Sequence, residues 1–482
     1  MIIPVLLASL FAILTRWCIS LNGYSGYGKK PMFGDFEAQR HWMEITYNLP
    51  VKEWYTNTSS NDLLYWGLDY PPLTAYHSWI CGYLSQIINP EWILLDTSRG
   101  HESYEHKLFM RYSVLFADVF VMFPAVFFIF KQMKLGDNQM IKASLLTLLY
   151  PGLILIDHGH FQYNCISLGL MLFAVLFLTQ SREILGSIAF CLALNYKQME
   201  LYHAFPFFCY LLGICLYSQH QNGFVRLIKI GMAVITTFVL CWLPFLSSVD
   251  SALQVLHRLF PFARGLYEDK VANVWCSMSI VIKLKTMLKH DHLVLLCLGS
   301  TMVMLLPSSV NLLLKPSIQR FKLALINSSL VFFLFSFQVH EKSILMSAIV
   351  VCLQINTDPF WCTWFAVVST FSMLPLLIKD GLITAFIGTS VLHLILSASL
   401  CDIFTFVGRK KSVQKLMFLV SVIGMVALTI GSLTVKPPVH LPDLFPVLVS
   451  VFSCVHFVLF LFYFHYKQYT LVDNVPLEKK KS

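Results

Sequence analysis

The sequence predicts an all-α polytopic membrane protein with about fourteen transmembrane helices. Three observations predict it. The chain is 57% hydrophobic and only 13% charged, whereas a soluble domain carries about a quarter of its residues as charges. The apolar residues fall in long runs, as lipid demands, because each spanning segment must satisfy its own backbone polar groups. The compact basic clusters recur on alternate loops, the asymmetry that orients membrane proteins.

Taken in order, the runs place crossings near 2–22, 111–130, 141–156, 162–180, 184–195, 199–217, 227–247, 292–311, 321–338, 343–357, 360–378, 382–401, 414–435 and 444–466. The first run lacks a positive leader and a small-residue cleavage site, so it reads as a helix rather than a removed signal peptide. The run VANVWCSMSIVI, 271–282, is too short to span and reads as a re-entrant or interfacial helix. With the N-terminus in the cytosol, Lys131, Lys134, Arg182, Arg226, Lys315, Arg320 and Arg409 to Lys411 all fall inside. Lys283, Lys285 and Lys289 are the exception and fall outside. The chain ends Lys479-Lys480-Lys481-Ser482, which resembles a dilysine retrieval signal and suits a cytosolic C-terminus. Asn57-Thr58-Ser59 makes Asn57 a glycosylation candidate in the first long loop. A second sequon, at Asn327, lies within an apolar run and is expected to be silent.

The 13 cysteines sit mostly inside apolar runs without metal spacing, so no disulfide framework or metal site is read from them. The net charge of +9 is scattered over loops and tail, unlike a nucleic-acid surface. No internal repeat is visible, and 1–482 reads as one membrane domain. Its larger polar segments, 23–110, 157–161, 196–198, 248–291 and 339–342, collect on the lumenal side. Chemistry is expected there.

Six stretches could carry it. GDFEAQRHWMEIT begins at Gly34. Asp35 suits a helix N-cap and Glu37 the first turn. Alternatively the helix lies along the membrane surface, with Phe36 and Trp42 in the interface and Asp35, Glu37 and Arg40 turned toward a site. Asp-x-Glu also suits a divalent ion, but two carboxylates make a weak metal signal. WGLDYPPLTAY begins at Trp66. Tyr70 precedes a proline and is pushed into extended backbone, and Pro71 and Pro72 fix two φ angles. Asp69 therefore sits on a stiff segment, as a general base requires, with aromatic faces suited to sugar rings. A surface turn with interfacial aromatics explains the same residues, and residue types alone leave both readings open. IDHGHFQYN, 156–164, places His158, His160, Gln162 and Asn164 at a hairpin, too polar for a mere turn. His-Gly-His lacks an evident third metal ligand. In NYKQMELY, Lys197 and Gln198 stand among apolar neighbours. Lys197 either pairs with Glu200 or meets a phosphate. The run 257–275 carries Arg258, Arg264 and Asp269, arginine being suited to bidentate phosphate recognition. FQVHEKS adds His340 and Lys342. Cations converging from several hairpins on one carboxylate would bind a phosphate and activate a hydroxyl.

In this order, GDFEAQRHWMEIT, WGLDYPPLTAYHS, DHGHFQYN, YKQMELY, RLFPFARGLYEDKVANVW and FQVHEKSIL resemble the dolichyl-phosphate-glucose-dependent glucosyltransferases of the endoplasmic reticulum, enzymes of the GT-C fold. The resemblance runs from about 20 to 350 and continues less distinctively beyond. Within that family the first two runs resemble the members that add the first glucose, not the sister that adds the second. It implies a multi-pass endoplasmic reticulum protein with a lumenal site and both termini cytosolic. Its substrates would be dolichyl-phosphate-β-glucose and the nine-mannose, pyrophosphate-dolichol-linked oligosaccharide, joined in an α-1,3 bond with inversion. Asp69 matches the family's proposed base. The leaving dolichyl phosphate needs no general acid, so one carboxylate suffices where hydrolysis uses two. No metal or other cofactor is implied; positive side chains would stabilise the phosphate, foremost His340 and Arg258, then Lys197. A transporter or flippase also lines its path with buried polar groups, but here those groups gather at one membrane face.

Overall fold

A computed structural model describes residues 2–217, 223–260, 270–401, 403 and 409–472. Among the described residues the only β pairing is an isolated bridge between Thr58 and Asn61. Helix α1 (Ile2–Ser20) leads into a long excursion that holds α2 (Asp35–Asn48) and α3 (Pro72–Ile88). Then follow α4 (Tyr104–Gln132), α5 (Asp137–Leu148), α6 (Pro151–Phe161), α7 (Asn164–Thr179), α8 (Glu183–Tyr196), α9 (Gln198–Leu216), α10 (Gly223–Phe245) and α11 (Val249–Leu259). The chain closes with α12 (His290–Leu314), α13 (Ile318–Phe335), α14 (Ile344–Cys352), α15 (Pro359–Phe371), α16 (Ile383–Cys401), α17 (Arg409–Thr434) and α18 (Leu444–Tyr469).

Among the described residues nine helices are long and apolar enough to cross a membrane, or ten if α5 and α6 form one bent span. That is fewer than about fourteen, because several expected crossings are shorter than their apolar runs. The expected 141–156 crossing breaks with a 44° bend where Tyr150 meets Pro151, since a residue before proline is disfavoured in helix. Pro359 and Pro375 likewise open new helices. The expected crossings 343–357 and 360–378 are thereby replaced by α14 of 9 residues, α15 of 13 and a short helix, Leu374–Lys379. The run 271–282 contributes only Val274–Met278, capped by the Asn273 side chain, too short to cross, as expected.

Helices α1, α10, α12 and α17 lie at the rim and expose apolar faces, including Leu10, Ile235, Leu295 and Leu419, which suits contact with lipid. Helix α13 is buried over most of its length. Its Asn327 is enclosed and donates to Gln468 Oε1 of α18 at 2.8 Å, so the second sequon is inaccessible within the fold. Helix α2 is held against α3 by the absence of a side chain at Gly82, where a Cβ would stand 2.6 Å from the Met43 carbonyl oxygen. That close approach positions the elements of the site.

Candidate active site

Helix α2 is not a half-wet surface helix. Eleven of its 14 residues, Phe36 to Thr46, are buried. Gly34 is the N-cap and Asp35 the first helical residue, without a capping hydrogen bond. The Asp35 carboxylate turns away from its own helix because stronger donors are available across the fold.

Those donors come from the end of α6, from Gln162 just beyond it and from the turn before α14. Asp35 Oδ2 accepts from Gln162 Nε2 at 2.5 Å and Lys342 Nζ at 2.7 Å, and lies 3.0 Å from His160 Nε2. The other ring nitrogen of His160 is 2.5 Å from Asp380 Oδ2. Burial alone would raise the Asp35 carboxyl, but the charges of Lys342 and His160 hold it well below the usual carboxylate range. Cations from two separate segments thus converge on Asp35. Sequence could not choose between two acids lying on one long loop.

Gln162 carries the network onward. Its Oε1 accepts from Asn164 Nδ2 at 3.0 Å and Lys197 Nζ at 3.3 Å, and Lys197 also donates to Asn164 Oδ1. Of the two readings left open for Lys197, the pair with Glu200 is not formed; Glu200 instead bonds His203 at 2.8 Å. Lys197 lies over the Tyr70 ring, 5.1 Å from its centroid. Beside it is a small cavity lined by Gln39, Tyr70, Thr74, Gln162, Tyr196 and Lys197.

The cavity adjoins the Asp69 loop, and the stiffness of that loop has a visible cause. Five consecutive carbonyls, of residues 66 to 70, each accept a hydrogen bond from a side chain elsewhere. Trp42 Nε1 bonds Trp66 O at 2.8 Å, Arg258 Nη2 bonds Gly67 O at 2.8 Å and Arg258 Nε bonds Leu68 O at 3.1 Å. Gln198 Nε2 bonds Asp69 O at 3.0 Å and Tyr55 OH bonds Tyr70 O at 2.7 Å. None of these bonds uses the Asp69 carboxylate. Trp66 holds a positive φ of 49°, a conformation that a bulky residue keeps only under such constraint. Arg258, expected at a phosphate, also holds the backbone on the N-terminal side of Asp69. It approaches with α11, which packs over the loop.

Two other expected contacts are redirected. Glu37 and Arg40 are buried and matched to each other at 2.7 and 2.8 Å. Arg40 also binds Glu44 at 2.6 Å and Ser98 Oγ at 2.6 Å, and Tyr65 OH donates to Glu37 at 2.8 Å. These bonds tie the excursion together and leave Asp35 and Glu37 with separate partners. His158 faces away from His160. The segment Leu155–Phe161 is a π-helical turn, and its register sends His158 to Asp118 of α4, at 2.9 Å. His340 lies two residues from Lys342, at the N-cap of Glu341–Ser343. Arg264 and Asp269 lie outside the described residues, as does the dilysine tail. Asn57 is exposed, its Oδ1 accepting from Leu63 N at 3.2 Å.

Sequence reasoning missed Asp380, Tyr55, Asp118 and Arg16. Arg16 carried a signal: it interrupts an apolar run, and a charge within a span points to a partner. Here the partner is Asp118, at 2.5 Å.

Comparison with known sequences bears on the whole of this arrangement. The profile of the ALG6, ALG8 glycosyltransferase family matches residues 12–463. A Gallus gallus protein named dolichyl pyrophosphate Man9GlcNAc2 alpha-1,3-glucosyltransferase is 51% identical over 479 residues, covering 95% of this chain and 94% of its own. The Mus musculus protein of that name is 51% identical with the same coverage. A Dictyostelium discoideum protein named as a probable enzyme of this kind is 46% identical over 95% of the chain and 94% of its own. With half its positions shared across almost the full helical bundle, the chain belongs to the ALG6, ALG8 glycosyltransferase family.

Proposed function

We propose that this protein is an inverting α-1,3-glucosyltransferase of the endoplasmic reticulum membrane. It moves glucose from dolichyl-phosphate-β-glucose to the terminal A-branch mannose of the dolichyl-pyrophosphate-linked nine-mannose oligosaccharide. The acceptor class follows the names of relatives 51% identical over 95% of the chain. The donor, the lumenal site and the two cytosolic termini are part of the proposal. What supports Asp69 as the base is the clamped loop, since proton transfer demands an oxygen held within hydrogen-bond reach of the attacking hydroxyl.

In this reading the Asp69 carboxylate takes the proton of the mannose 3-hydroxyl as that oxygen attacks C1 of glucose from the face opposite the phosphate. The C1–oxygen bond breaks and its electron pair leaves with dolichyl phosphate, with no acid to protonate it. Lys197 and the His340–Lys342 turn stabilise the departing phosphate, acting where charge accumulates. Asp69→Asn in full-length protein, given dolichyl-phosphate-glucose and the nine-mannose lipid-linked acceptor, should keep the native melting profile. It should lose transfer by about a thousandfold or more, the order expected for general-base and positioning terms combined. Retained activity would remove Asp69 from the mechanism, and transfer only to a monoglucosylated acceptor would reassign the protein to the second glucose.

A further inference from the structure

We propose that the crevice between α1 and the start of α4 binds the phosphate headgroup of an anionic lipid, at a site separate from the Asp69 cavity. The crevice is a partly open cavity of about 80 Å³. Arg16, Lys107, Arg111 and His158 supply its polar groups, and Trp17 and Tyr112 its aromatic wall.

The charges do not balance. Arg16 and His158 share Asp118, at 2.5 and 2.9 Å. Lys107 donates to the Asn22 carbonyl at 2.9 Å, and Arg111 to the carbonyls of His158, Gly159 and Gly23. Among the described residues no carboxylate bonds Lys107 or Arg111. Two buried guanidinium nitrogens, Arg16 Nη2 and Arg111 Nε, have no hydrogen-bond partner. Burying a charged donor unpaired is costly, and an anion with several acceptor oxygens would satisfy both residues.

The surroundings specify a lipid. The crevice lies where one candidate span ends at Ser20 and another begins at Tyr104. Trp17, Tyr104 and Tyr112 are exposed there, as aromatic side chains are at a membrane boundary. The outer face of α1 continues along exposed Leu14 and Leu10, a track for a hydrocarbon chain. The π turn joins this crevice to the candidate active site, presenting His158 to one and His160 to the other.

The test uses the full chain in detergent, titrated with phosphatidate, with phosphatidylcholine or with inorganic phosphate, bound molecules being counted by native mass spectrometry. One phosphatidate is expected to bind at least about tenfold more tightly than either comparator, and Lys107→Glu to weaken it about tenfold or more, as loss of one charge-assisted bond predicts. Because Arg111 also supports three carbonyls, Trp17→Ala serves as the second variant and should weaken phosphatidate without changing the melting profile. Equal binding of phosphatidylcholine, inorganic phosphate as tight as phosphatidate, or wild-type affinity in Lys107→Glu would each overturn the proposal.

Discussion

Replacing Arg258 by alanine distinguishes a side chain that positions the base from one that binds the donor. Arg258 makes two charge-assisted bonds to the loop, at 3.1 and 2.8 Å, worth about 1.5–3 kcal/mol each, or about 3–6 kcal/mol together. Three carbonyl clamps, from Trp42, Gln198 and Tyr55, survive the substitution, so the loop keeps its course but loosens. If about half of the lost energy falls on the transition state, kcat drops roughly ten- to 150-fold, while KM for dolichyl-phosphate-glucose changes less than about threefold, because ground-state binding is untouched. The decisive comparison is a double-mutant cycle in proteoliposomes with radiolabelled donor. Once Asp69→Asn has removed the group being positioned, Arg258→Ala should cost less than about twofold more, since residues acting as a unit are not additive. Equal losses in both backgrounds, or a donor KM raised about tenfold with kcat intact, would refute the positioning role and return Arg258 to the phosphate.

Three further outcomes are expected. Lys342→Met, which removes one partner of a largely enclosed pair, should cost about 2 kcal/mol or more in thermal stability, and adding Asp35→Asn should recover part of it; additive losses would show that the pair is not coupled. Glu44 is enclosed; burial would raise its carboxyl, but His41 and Arg40 lower it from 4.5 to about 2. A carboxyl depressed in the folded state stabilises above its unfolded pKa, so roughly 3 kcal/mol is present above about pH 4.5 and lost toward pH 2; Glu44→Gln should flatten the acid limb of the melting curve, and an unchanged limb would contradict this. Asn57 is exposed, so Asn57→Gln should abolish a shift in gel mobility on treatment with an N-glycan-cleaving enzyme, whereas an unglycosylated wild type would remove the sequon as a marker of the lumenal side.

The helical class was legible because lipid leaves long apolar runs no alternative, and the ends of α12, α13 and α18 fall close to where hydropathy placed them. Span lengths were less legible, since Pro151, Pro359 and Pro375 act on the backbone without interrupting the apolar character that defines a run. Within the candidate site, the residues on 157–164 stood out as too many polar groups for a hairpin, and Lys342 as one of several cations on neighbouring hairpins. Their partners did not. Asp35 meets Lys342 across 307 positions and His160 meets Asp380 across 220, separations at which local pattern is silent. The bonding of Glu37 to Arg40 was hidden for the converse reason: a charged pair three positions apart on a helix looks the same in sequence whether it faces solvent, a ligand or the core.

The two acids of the long excursion are distinguished by what surrounds them. A base must surrender hydrogen-bond stabilisation as it takes a proton, so a carboxylate already gripped by cations is a poor one. Asp35 is such a group, pinned by Lys342, Gln162 and His160 and held below the usual range. Its part is to join α2 to α6 and the turn before α14, fixing the wall on which Gln162 and Lys197 stand. At Asp69 the protein grips the main chain. Side chains from α2, α11, the start of α9 and the loop at Tyr55 hold five carbonyls in a row, so positional precision is supplied through the backbone.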